Sequence, residues 1–262
     1  MCVGSSSLNP VKKIKRKTAR QELKIPTFLV GYAAPEALPP AFLAAWFTEE
    51  YGGPLDINLL PGESDTTFEA RHGPWAALAD TNVSPEIADA WHERLGWSHS
   101  RAAQVLPIRS ISRDSRDIVL HVTRLARGLT LLTGGTAHDT ATGTYLNPSD
   151  WSNFSLSAFQ VNDHLRIEEV GGRPDNRIWF HTRGLAKFGL EDIEIYRPVG
   201  LSERPVIEIL TEIAESLIDL GKAPNVGEAM MLNNGQSARI IRHRTDQSYG
   251  IRLNLREIAW DG

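Results

Sequence analysis

The chain has 262 residues, 41% of them apolar and 23% charged, and a single cysteine, Cys2. Those figures describe an ordinary globular protein of one large or two small domains, and a lone terminal cysteine excludes an intrachain disulfide or a thiolate metal cluster. No window approaches the roughly 20 apolar residues that span a bilayer, and no apolar segment follows the N-terminal charges, so no membrane partner and a cytoplasmic location are expected.

The net charge of −4 is unevenly spread: residues 1–24 hold seven Lys/Arg against Glu22 alone, which leaves −10 on the remainder. This basic tail has no aromatic side chain for base stacking, so it reads as a disordered, solvated extension, and a nucleic-acid partner is not expected. Thr27 to Ala33 then forms an apolar run between Pro26 and Pro35 and reads as a buried strand. A helix is predicted from Leu38 to Tyr51, with prolines in its first turn and Gly52-Gly53 after it. Leu55 to Leu60 and Thr66 to Ala79 read as strands, the second bent at Gly73-Pro74. Ser84-Pro85-Glu86 has the N-cap, N1 proline and first-turn acid of a further helix start.

Ala102 to Ile108 is the next strand candidate. From Ser115 to Thr133 the apolar residues Ile118, Val119, Val122, Leu125, Ala126, Leu129 and Leu132 lie on one helical stripe, with Asp114 placed to cap it and Gly134-Gly135 to stop it. Thr140 to Leu146 reads as one extended run, and residues 147–163 as a long polar excursion. His164 to Val170 and Arg177 to Thr182 flank the turn-forming Gly171 to Asn176 and predict a hairpin. Ile193 to Arg197 adds a strand, and Ser202 to Leu220 a helix capped by Ser202 and ended by Gly221. Ala229 to Leu232, Ser237 to Arg242 and Tyr249 to Ile258 close the chain as strands. The expected fold class is α+β: helices packed on largely antiparallel sheet, arranged as two ferredoxin-like halves over residues 25–146 and 164–262.

Eight histidines are present, yet none has the His-x-x-x-His spacing that places two ligands on one helical face. His121 sits at the edge of the apolar stripe and reads as a structural imidazole. His138-Asp139 and His181 fall at strand ends, where a carboxylate can orient an imidazole for general-base or metal chemistry, and they are the catalytic candidates. Gly134-Gly135-Thr136 follows a helix, the wrong end for phosphate, and no Gly-x-Ser-x-Gly elbow occurs, so neither cofactor nor metal is expected. The most distinctive stretch runs from His181 to Ile195, where Thr182, Arg183 and Lys187 offer donors and Glu191, Asp192 and Glu194 acceptors. Two accounts fit it: a binding surface in which the Arg183 fork reads a carboxylate or phosphate, or a tight connection held by an internal Arg-carboxylate pair.

The pattern His-Thr-x-Gly-Leu-x-x-Phe-Gly-Leu-x-x-x-Glu over His181 to Glu194, entering a strand and followed by a helix, resembles the bacterial family labelled domain of unknown function 4261. The resemblance covers residues 100–258. It implies an accessory bacterial domain and transfers no catalytic residue. The sequence thus favours a non-catalytic, cytoplasmic binding or regulatory protein of immunity or accessory type with a protein partner. The alternative is a metal-assisted hydrolase using His138, Asp139 and His181.

Overall fold

The computed structural model describes residues 27–60, 67–80, 104–111, 115–171, 176–248 and 251–260. The basic tail, the helix expected at Ser84, the Asp114 cap and the middle of the Gly171–Asn176 turn lie outside the described residues.

The described strands form two sheets. The first is wholly antiparallel and holds β1 (Phe28–Tyr32), β2 (Asp56–Leu59), β3 (Thr67–His72), β4 (Trp75–Asp80), β5 (Gln104–Ser110), β6 (Thr136–Asp139) and β7 (Thr144–Leu146), in the order β2-β3-β4-β5-β1-β6-β7. The second holds β8 (Arg166–Val170), β9 (Arg177–Arg183), β10 (Asp192–Pro198), β11 (Ala229–Met231), β12 (Ser237–Ser248) and β13 (Ile251–Trp260), in the order β11-β12-β13-β10-β9-β8. Its only parallel pair is β10 with β13. The described α-helices are α1 (Pro40–Tyr51), α2 (Arg116–Thr133) and α3 (Arg204–Leu220).

The protein is therefore mixed α and β, with sheet predominating. Two ferredoxin-like halves are not confirmed: that unit needs two helical crossovers, and the second sheet has only α3 inserted between its described strands.

Proline and glycine explain most boundaries. Pro40 opens α1 where no amide donor is needed, and α2 and α3 end at Gly134 and Gly221 in the left-handed conformation. The front caps differ from the expected ones. Ser115 caps α2 by accepting from the Ile118 amide, and α3 starts after Glu203 without a side-chain cap. The expected strand from Thr140 to Leu146 is instead a turn and a short strand. Asp139 Oδ1 accepts from the Ala141 and Thr142 amides, and this Asx turn folds the chain back from β6 into β7.

Each sheet has its own core, and α2 belongs to both. Leu120, Val122, Leu125, Ala126 and Leu129 pack with β1, β5 and α1, whereas Ile118 and Val119 join the cluster of Phe180, Ile193, Ile195 and the inward face of α3. The expected polar excursion is also structural. Its 3-10 turn Asp150–Asn153 buries Trp151, and Leu156 is buried with it in the first core; Val161, in the 3-10 turn Val161–Asp163, enters the second. Arg124 of α2 fixes this segment by donating to the Leu156 and Ser157 carbonyls.

Candidate functional site

Alternation along β9 divides its side chains between two environments. Phe180 points to the apolar core under α3, while Trp179, His181 and Arg183 share the opposite face. Register then sets their neighbours. Glu168 of β8 stands opposite His181, and Glu194 of β10 stands opposite it on the other side, so one imidazole lies between two carboxylates.

All three are buried. His181 Nε2 is 3.3 Å from Glu168 Oε2, and Nδ1 is 3.2 Å from the Thr182 carbonyl oxygen. Burial lowers the His181 pKa below the ordinary imidazole value, while the Thr182 carbonyl and the Glu168 charge pull the other way. Trp179 Nε1 donates to Glu194 at 2.7 Å, and Arg244 of β12 donates from Nε at 2.6 Å to the same carboxylate. The Arg244 guanidinium lies 5.2 Å from the Trp179 ring centre, so a cation-π contact adds to the ion pair.

The 3-10 turn Leu185–Phe188 projects Lys187 toward the first sheet. Its Nζ donates to Asp139 Oδ2 at 2.6 Å, with both side chains buried. This ion pair joins the end of β6 to the loop after β9. Asp192 lies behind the same turn, where Oδ1 accepts from the Thr182 hydroxyl at 3.0 Å and the Leu185 amide at 3.2 Å. Burial pushes the Asp192 carboxyl up to about 7, against the opposing effect of those two donors. Thr182 Oγ1 also accepts from the Ile193 amide, so the residues leaving β9 and entering β10 are stitched together.

The sequence-derived candidates therefore fall into separate groups. His181 and Arg183 meet at Glu168, Thr182 meets Asp192, and Lys187 meets Asp139. Glu191 faces outward to His243 at 2.9 Å and Arg256. Glu194 is held by Trp179 and Arg244. His138, on the opposite face of β6 from Asp139, stacks on Tyr145 with ring centres 4.3 Å apart. His138, Asp139 and His181 thus have three different partners.

Glu168 and Arg244 complete the buried network and were not singled out in the sequence. Glu168 could have been found from the hairpin turn, whose register places residue 168 against 181. Arg244 pairs locally with Asp246, but its contacts within the network, Glu194 and Tyr196, lie about 50 residues earlier and leave no mark in the sequence around it. Two histidines outside this network are also sequestered. His121 Nε2 is 3.0 Å from the Ala70 carbonyl oxygen, and burial pulls its pKa down to about 4. Burial, with the Lys187 charge, lowers His164 well below its usual value.

Chemically, the network sets opposite charges against one another in fixed pairs and braces β8, β9, β10 and β12 against the β6–β7 turn. Among the described residues no group of three or more His, Cys, Asp or Glu side chains is arranged to hold a metal ion, and no helix is long and apolar enough to cross a membrane.

No curated protein and no solved structure matches this chain. The match found is to a family model, and it supports a domain of unknown function without extending to family 4261 specifically. Residues 167–251, which run from β8 to the first residue of β13 and carry the buried network, match the family described as "Protein of unknown function (DUF4026) C-terminal".

Proposed function

We propose that the protein is a non-catalytic binding or regulatory protein of the bacterial cytoplasm, of immunity or accessory type, that engages a protein partner beside the free edge of β11. The observation that carries this reading is a groove between the end of α3 and β11, lined by Ser216, Asp219, Lys222, Glu228, Met230 and Met231 among others. Of its lining residues Leu220 is exposed by 59% and Met231 by 73%, an apolar surface that water alone covers poorly. Beside it, Glu208, Glu212, Glu215 and Asp219 follow one another along α3 at helical spacing.

β11 is an edge strand. The Glu228 carbonyl accepts from the Ile240 amide and the Leu232 amide donates to Gln236, so even-numbered residues bond inward to β12. Ala229 and Met231 direct their amides outward, where an extended, basic segment of a partner can add as a further strand. The hydrolase alternative is weakened by the dispersal of its residues: Asp139 is paired with buried Lys187, His138 stacks on Tyr145, and His181 lies beside Glu168 on the second sheet, so the three do not converge on one reacting atom.

Met231→Pro removes one outward amide while leaving the bonds to β12 in place. We expect the full-length protein to bind basic extended peptides on an array with an affinity that falls as salt rises, and this variant to lose that binding. Turnover of an ester or phosphoester that disappears in His181→Ala would establish the hydrolase instead.

A further inference from the structure

Arg183 is 2% exposed, and only one of its three nitrogens has an acceptor among the described residues. Nη1 donates to Glu168 at 3.2 Å, whereas Nε and Nη2 have no hydrogen-bond partner. Those two nitrogens form the edge of a guanidinium that grips a carboxylate or phosphate through two parallel bonds. Arg244, on the same sheet, shows the edge in use: its Nε and Nη2 both donate to Glu194. The equivalent edge of Arg183 is buried and has no acceptor among the described residues, and an unsatisfied buried donor of a charged group is destabilising.

Charge points the same way. Among the described residues Glu168 lies near Arg166 at 3.6 Å, His181 at 3.3 Å and Arg183 at 3.2 Å, so it is shared by two permanent positive charges. The β6–β7 turn covers the guanidinium with the one residue type that leaves space there. Gly143 has φ +72°, and a Cβ on it would lie 2.9 Å from Nη2 and 3.3 Å from Cζ.

From this geometry we propose that the Nε/Nη2 edge of Arg183, roofed by the turn at Gly143, is a binding site for a small oxyanion, the carboxylate or phosphate group of a soluble metabolite. One bound monoanion supplies two acceptors and balances the excess charge around Glu168. The turn is the entry route, because displacing Gly143 uncovers the guanidinium without disturbing β9.

The test is a titration of the full-length, 15N-labelled protein, following the Arg183 Nε–H resonance as sodium phosphate or sodium acetate is added at constant ionic strength against sodium chloride. A saturable shift with phosphate, acetate or both supports the site, and the stronger ligand identifies the class. Arg183→Lys keeps the charge and loses the fork, so a probe resonance in the β6–β7 turn should show affinity reduced by about tenfold or more. The proposal is overturned if the wild-type resonance responds only as it does to chloride, as it would with water alone in the fork, or if Arg183→Lys binds with unchanged affinity. The wild-type titration decides the matter even if the variant does not fold.

Discussion

Replacing Lys187 with Met retains the length of the side chain and removes its charge, leaving the Asp139 carboxylate buried with only the Ala141 and Thr142 amides as donors. At 2.6 Å, with an effective dielectric of about 20, the Lys187–Asp139 attraction is about 6 kcal/mol before desolvation. Loss of one partner from a buried pair destabilises by about 3–5 kcal/mol, and the two remaining amide donors place this site near 3 kcal/mol. For a protein of this size the melting temperature should fall by about 6–12 °C. Urea unfolding followed by circular dichroism would read the loss as a lower midpoint with an unchanged slope. Adding Asp139→Asn to Lys187→Met removes the orphaned charge, and the double variant should recover most of the loss. A cost under about 1 kcal/mol for Lys187→Met alone is the size expected of an exposed pair and would refute the claim that this contact ties the sheets together.

Two further outcomes follow from neighbouring groups. Asp192 holds its proton up to about pH 7 in the folded protein, while the unfolded carboxyl releases it near 3.8. The unfolded state therefore binds fewer protons between those values, and this group's contribution to stability declines as pH rises through them, by at most about 4 kcal/mol. The sign is opposite for His121 and His164, whose lowered values remove stability as pH falls below about 6.5. The difference between wild type and Asp192→Asn isolates the carboxyl: unfolding free energies from pH 4 to 8 should diverge in that direction, and parallel profiles would show that Asp192 ionises normally. Gly184→Ala should destabilise by more than about 2 kcal/mol, because φ is +122° and the added Cβ would lie 2.5 Å from the His164 carbonyl oxygen. An unchanged midpoint in chemical denaturation would refute that packing.

The elements bounded by proline and glycine were legible from sequence, because those residues act locally: α1, α3 and β1 begin and end within a few residues of their punctuation, and α2 ends at its glycine. Where a boundary depends on pairing, legibility failed. Thr140 looks extended by composition, yet the Asp139 carboxylate turns the chain there, and β12 continues to Ser248 because β13 offers a partner along that length. The polar stretch 147–163 concealed Trp151 and Leu156, whose burial depends on the first sheet arriving beneath them. The same division holds at the site. The run from His181 to Glu194 stood out as unusual, but its partners Glu168 and Arg244 come from register and from a strand far along the chain. Arg183 lay in that run with acids at 191, 192 and 194, and the carboxylate it contacts is on β8 instead.

The division of α2 between two apolar clusters has a practical consequence for dissection. A fragment cut to residues 167–251 would lose Ile118 and Val119 from beneath α3 and most of β13 from beside β10, exposing oily surface on both flanks. Such a fragment should aggregate when expressed alone, and one beginning just upstream of Arg116 would in turn bare the α2 face that packs on β1, β5 and α1. Because that helix is common property, loosening either sheet should loosen the other, and melting should proceed in a single concerted step.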